Sequence, residues 1–238
     1  RDGGIVLLSS LLYNVGGDKM KRVAIVHTVR PVLASFPQLL EQVVGQPLKI
    51  HNLLDEFLAS DPAEIGYFSV ENRNRLFNDL KSCELTKADL IVVTCSTLTP
   101  AVQLIRPFIN VPVVAIDDAM TEQAVRTGKR IKVVATAMST LKPTIAKLEQ
   151  EANLAGVEIE VDAQDHEPAY TAMRAGDMAT HDRLVLEMIR EVKGFDCIVL
   201  AQASMGHLQQ QAQEIAGVPV LASPILCCEK VKQMLEEM

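Results

Sequence analysis

Short apolar runs alternate with longer amphipathic stretches along the chain, and the alternation is written twice. Val23 to His27 reads as a buried strand, Leu33 to Val44 as a helix, Leu48 to Asn52 as a second strand, and Asn72 to Lys87 as a second helix. The second half repeats this order with a strand at Ile131 to Ala135 and a helix at Thr144 to Ala155 closed by Gly156. A strand at Val157 to Val161 and a helix at Thr180 to Val192 follow. Later strands, Val113 to Ile116 and Val220 to Ala222, lead into helices from about Asp118 to Arg126 and from Pro224 to Glu237. Apolar strands separated by such helices predict parallel sheet covered on both faces.

The duplication is visible residue by residue. Asp89-Leu-Ile-Val-Val-Thr-Cys95-Ser-Thr-Leu and Asp196-Cys-Ile-Val-Leu-Ala-Gln202-Ala-Ser-Met lie 107 residues apart, and each is followed by Val-Pro-Val. Basic pairs, Lys21-Arg22 and Lys129-Arg130, introduce the first strand of each half. A shared offset across several features argues against one continuous doubly wound sheet with coincidentally similar strands. It predicts an α/β protein of two similar Rossmann-like domains with parallel sheets, related by a pseudo-two-fold axis, with an active site in the interdomain cleft. The predicted division is 20–116 completed by 224–238 for the first domain and 117–223 for the second. Residues 1–19 are an N-terminal extension of unknown role.

Composition narrows the function classes. The 238 residues carry a net charge of −7 and lack a basic-aromatic stripe, which argues against nucleic acid or an anionic membrane as partner. No apolar run reaches the roughly 18 residues of a membrane span. Gly3 to Tyr13 resembles a short signal core but has no small-x-small cleavage site before Met20. Five cysteines without a Cys-x-x-Cys pair or a spaced metal-ligand set read as reduced thiols in a cytoplasmic protein, with no metal. Phosphate-loop and dinucleotide-binding glycine patterns are absent. The expected partner is a small carboxylate-bearing molecule; self-association as a homo-oligomer is left open.

Chemistry concentrates where strands end. Cys95 follows five apolar residues, so its thiol can face a cleft while the next backbone N–H groups and the hydroxyls of Ser96 and Thr97 meet an anion. A thiol there can act as base or nucleophile; the competing reading is a small buried hydrophobe. The symmetric position holds Gln202-Ala203-Ser204, which can form hydrogen bonds but has no titratable proton near neutrality. Thr136, Ser139 and Thr140 at a strand-to-helix junction suit a carboxylate, or equally cap the helix. His27 ends the first strand and His181 lies in a helix that Asp177 or Thr180 can cap; both are titratable candidates.

From about Lys21 to the C-terminus the chain resembles the aspartate/glutamate/hydantoin racemase superfamily. The resemblance rests on the repeat, on Thr94-Cys95-Ser96-Thr97, on Ala135-Thr136-Ala137 with Thr140, and on Leu200-Ala201-Gln202-Ala203-Ser204-Met205. It implies a cofactor-independent racemase or isomerase acting at the α-carbon of a small carboxylate-bearing substrate, with no cofactor required. Such racemases use one cysteine from each domain on opposite faces of that carbon. Cys95 matches the first, while the second position is Gln202, the usual Gly-Cys being replaced by Ala201-Gln202. Racemisation would then need His27 or His181 as the second proton-transfer group. Relatives also include maleate isomerases with a nucleophilic cysteine, and arylmalonate decarboxylases whose cysteine belongs to the second-domain position. One-sided decarboxylation or cis–trans isomerisation through a single cysteine is therefore the alternative, and a non-catalytic small-anion binding protein is the third. The candidate catalytic residues are Cys95, His27 and His181. The candidate substrate-binding residues are Ser96, Thr97, Thr136, Ser139, Thr140, Gln202, Ala203 and Ser204.

Overall fold

A computed structural model describes residues 20–238; the extension at 1–19 lies outside the described residues. The first half runs β1 (Arg22–His27), α1 (Arg30–Val44), β2 (Lys49–Leu54), α2 (Phe57–Ile65), α3 (Val70–Leu85) and β3 (Leu90–Val93). A 3₁₀ turn at Ser96–Leu98 then enters α4 (Thr99–Ile105), and β4 (Val113–Ala115) completes a parallel sheet of order β2-β1-β3-β4. After α5 (Asp118–Thr127) come β5 (Arg130–Val134), α6 (Met138–Ala155), β6 (Glu160–Gln164), α7 (Glu167–Arg174), α8 (Met178–Glu191) and β7 (Cys197–Leu200). A longer 3₁₀ turn at Ala203–Leu208 leads into α9 (Gln209–Ala216), β8 (Val220–Ala222) and α10 (Ser223–Glu236). The second sheet, β6-β5-β7-β8, is also all parallel and repeats the order of the first.

The duplicated sequence produces duplicated bonding. Thr94 N–H donates to Val26 O at 3.0 Å, and Ala201 N–H donates to Val134 O at 2.9 Å. The two Val-Pro-Val segments enter their sheets alike, with Ile91 and Ile198 each donating to the proline carbonyl at 2.9 Å. At the opposite end, the repeated aspartates hold the start of the neighbouring strand. Asp89 accepts from Arg22 N–H at 2.7 Å, and Asp196 accepts from Lys129 and Arg130 N–H at 2.7 and 2.8 Å.

Two helices tie the halves together by exchange. Met120, Ala124 and Val125 of α5, which follows the first sheet, pack into the core of the second with Ile131, Val133 and Val199. Conversely, Cys227, Cys228, Val231 and Leu235 of α10 pack on the first sheet with Val23, Ile25 and Val92. A parallel sheet needs helices on both faces, and each half takes part of its cover from the segment after the other half's last strand.

The structure differs from the sequence reading in places that have physical causes. The α6 helix begins at Met138, not Thr144, and carries Pro143 inside it. The strand expected at Val157 to Val161 lies at Glu160–Gln164, where exposed and half-buried residues alternate. There Asp162 pairs with buried Lys132 on β5, with Nζ at 2.6 Å from the carboxylate. The short helices α2, α4, α7 and α9 went unpredicted. Asp177 caps α8 as expected, its side chain accepting from Thr180 N–H at 3.0 Å. No helix among the described residues is long and apolar enough to cross a membrane.

Gly128 shows how tightly the second sheet is set. A Cβ there would lie 2.2 Å from Asp196 Cβ, an impossible contact, against the side chain that holds the start of β5. Gly128→Ala is expected to destabilise the fold by about 1–3 kcal/mol through forced displacement of Asp196. Urea unfolding of the variant beside wild type measures it.

Candidate active site

The two turns that follow β3 and β7 sit where the halves meet. The Ser96–Leu98 turn packs against α6 of the second half, while the Ala203–Leu208 turn packs against α10. Ala203 itself contacts the apolar cluster of the first sheet. Cys95 and Gln202 are therefore equivalent residues, each preceding a 3₁₀ turn in extended backbone conformation, at the boundary between domains.

Cys95 is half-buried, and the other four cysteines are buried; all five are free thiols. Its Sγ lies 3.1 Å from Thr97 Oγ1, so the hydroxyl can donate to a thiolate or accept from a thiol. Burial pushes the thiols of Cys83 and Cys197 up to about 11 and that of Cys228 to about 12. These three are poor nucleophiles, which leaves Cys95 as the accessible one.

Gln202 is bound from one side. Its Oε1 accepts from Thr136 N–H at 2.5 Å, Thr136 Oγ1 at 2.9 Å and Ala137 N–H at 3.1 Å. Ala137 is the N-cap of α6 and cannot cap with its own side chain. Gln202 thus anchors the segment that leads into α6, accepting from the N-cap N–H and the one before it, ahead of the first helical residue Met138. Because three donors converge on it, the facing atom must be the amide oxygen, and the amide NH₂ is turned away from this cradle. At the equivalent entrance of α1, Val29 likewise makes no side-chain cap.

The remaining predicted residues divide clearly. Ser96 is buried and donates to Asp117 Oδ1 at 3.0 Å, and Thr140 donates back to Ala137 O at 2.8 Å. Ser139 is exposed on the first turn of α6, and Ser204 is half-buried beside Gln202. His27 is fully buried with both ring nitrogens engaged, Nε2 with Asn52 Oδ1 at 3.0 Å and Nδ1 with Thr94 Oγ1 at 2.9 Å. Burial holds its basicity below the usual histidine value, against the opposing pull of Asn52. His181 lies in the other half; its Nδ1 is 2.7 Å from Asp182 Oδ1 and its buried Nε2 has no partner. Asp182 also meets His207 Nε2 at 2.8 Å, on the turn that follows Gln202.

Asp117, Asp182 and His207 were not singled out from the sequence. The signal for Asp117 is the pair Asp117-Asp118 directly after a core strand. Among the described residues no cluster of three or more His, Cys, Asp or Glu side chains is placed to hold a metal ion.

A duplicated α/β fold with a half-buried free thiol where its halves meet agrees with the class of protein that the comparisons give. The family model described as Asp/Glu/Hydantoin racemase matches residues 51–230, and the chain belongs to that family. As a member it is a cofactor-independent enzyme of the racemase/isomerase type acting on a small carboxylate-bearing substrate. The fold is similar to that of a glutamate racemase from Bacillus anthracis, at 15% identity and a TM-score of 0.68 over 91% of this chain and 82% of that one. An allantoin racemase from Klebsiella pneumoniae aligns at 18% identity and 0.66 over 91% and 88%. An aspartate racemase from Picrophilus torridus aligns at 14% and 0.65 over 90% and 94%. At these identities the likeness is one of fold. Among curated proteins none matches the chain by sequence.

The anchorage of Gln202 is testable by stability alone. Gln202→Ala is expected to cost about 1–3 kcal/mol, because buried Thr136 loses the acceptor of its N–H. Gln202→Glu should retain the stability, since a carboxylate is favoured at a helix N-terminus. Chemical denaturation of the two variants separates the outcomes.

Proposed function

We propose that the enzyme works with one thiol rather than two. Cys95 acts as base or nucleophile at the α-carbon of a small carboxylate-bearing substrate, and Gln202 presents its amide N–H groups to a substrate oxygen. The observation that carries this reading is the three-donor anchorage of Gln202 Oε1, which leaves the amide NH₂ as the exposed end of the side chain. An amide so held neither takes nor gives a proton near neutrality, but it stabilises negative charge developing on a bound carboxylate or enolate. The uncapped entrance of α1 at Thr28-Val29 is the complementary seat for the substrate carboxylate, just as the entrance of α6 holds an oxygen from Gln202. Thr97 and Ser204 flank the thiol and the amide, while Thr136, Ser139 and Thr140 shape the entrance of α6.

The division into 20–116 with 224–238 and 117–223 belongs to the same proposal, supported by the reciprocal packing of α5 and α10. Five free thiols support a reducing, cytoplasmic setting.

A second reading rests on His181, whose buried Nε2 has no partner and whose Nδ1 leads through Asp182 to exposed His207. In that reading His181 supplies the second proton-transfer group, and reaction is two-sided.

Solvent-deuterium exchange over a panel of amino acids, hydantoins and dicarboxylates separates the two. The one-thiol reading predicts deuterium incorporation on a single face, and a loss of about 10²-fold or more in Cys95→Ser. Equal exchange from both enantiomers, abolished by His181→Gln, supports the second reading and overturns the first.

A further inference from the structure

The same 107-residue offset that pairs Cys95 with Gln202 pairs Ser96 with Ala203, Thr99 with Gly206 and Asp117 with Pro224. In the half that lacks the thiol, these three positions are apolar, and the polar bonds of the turn lie elsewhere, at Gln202 and at His207. Ala203 packs in a hydrophobic cluster, and any side chain at Gly206 would meet Pro224 at 3.1 Å. In the half that carries the thiol, the same three positions are polar. Asp117, only 1% exposed, accepts from Ser96 Oγ at 3.0 Å through one oxygen and from Thr99 Oγ1 at 3.2 Å through the other. Ser96 opens the 3₁₀ turn and Thr99 closes it, so one carboxylate grips both ends of the segment that carries Cys95 and Thr97. The carboxylate is fixed in turn, because Ile116 N–H is bonded to Val93 O at 3.0 Å and Asp117 is the N-cap of α5.

The grip has no cation of its own. Arg106 Nη2 lies 2.7 Å from Asp118 Oδ2, and Lys147 Nζ lies 3.1 Å from Asp118 Oδ1. Buried Cys227 faces Asp117 and Asp118 from α10. Burial therefore dominates and lifts the Asp117 carboxyl to about 6, although the Ser96 and Thr99 hydroxyls pull it down; the Asp118 charge adds to the rise and Lys147 opposes it. The other half holds its turn without a buried carboxylate at the equivalent position. A buried carboxylate held only by two hydroxyls costs folding energy in the ionised state, and that cost needs a return at the thiol.

We propose that Asp117 is a positioning residue that sets the geometry of the Cys95 turn, and that ionisation of its carboxylate switches that geometry. The proposal rests on the reading of Cys95 as the working thiol. When Asp117 is protonated, one oxygen carries hydrogen and donates to one of the two hydroxyls, so that the bond reverses and this hydroxyl's own proton must turn to another acceptor. For stability the sign is fixed by the raised value. The folded state binds the proton more tightly than the unfolded chain, so stability falls as pH rises from the ordinary aspartate range through about 6, and is level above it.

The test labels full-length protein with dithiodipyridine, which reports Cys95 because the other four cysteines are buried. The labelling rate is followed from about pH 5 to about pH 8, with thermal melts on the same samples. Wild type is expected to show an inflection near the Asp117 value on top of the thiol's own ionisation. Asp117→Asn loses that inflection, and Ser96→Ala moves it to higher pH by removing a hydrogen bond that favours the carboxylate. Asp117→Asn also melts higher than wild type near pH 8, with the gap closing below about 6. An Asp117→Asn profile that superimposes on wild type, or an inflection unmoved by Ser96→Ala, overturns the proposal. Because the readout is the thiol and not turnover, this result stands or falls separately from the catalytic assignment of Cys95.

Discussion

Buried backbone N–H groups must find acceptors, and in the segment that leads from β5 into α6 that demand is met by a side chain from the far end of β7. Thr136 and Ala137 present their N–H groups, and Gln202 fills them with an oxygen. The bond fixes the entrance of α6 and the direction of the Gln202 amide. It also occupies the position in the second half that matches Cys95 in the first.

The rest of the site follows from the inequality of two otherwise matched halves. Their strands, register and edge contacts agree closely, down to the aspartates that hold the starts of β1 and β5. At the site they diverge where the chain leaves the central strands. One turn carries a thiol and is gripped by a buried carboxylate; the other carries an amide and has apolar residues at the equivalent positions. A pseudo-two-fold cleft lined unequally is suited to treating the two faces of a bound carbon unequally.

The architecture was legible because a buried parallel strand is a nearly continuous apolar run, and Val23 to His27, Leu90 to Val93 and their partners are such runs. The half-exposed strand β6 misled, since the apolar residues at Val157 and Ile159 precede it while Glu160 and Asp162 lie within it. The helices α2, α4, α7 and α9 are at most nine residues long, too short for a periodic signal to declare itself. Of the site, the Cys95/Gln202 mismatch could be read directly from the repeat. The partners could not. Gln202 reaches Thr136 across 66 positions and Ser96 reaches Asp117 across 21, and no local pattern announces a long-range bond. The same repeat held the missing clue, since three more polar-to-apolar mismatches share the offset of the thiol.

The most direct test of the account is a crystal structure with a small dicarboxylate bound. The account predicts the ligand between Cys95 Sγ and the Gln202 amide nitrogen, with a carboxylate at the entrance of α1 and Gln202 Oε1 still bonded to Thr136 and Ala137. A structure in which Gln202 has swung out, with the ligand carboxylate seated on Thr136 and Ala137, would contradict it.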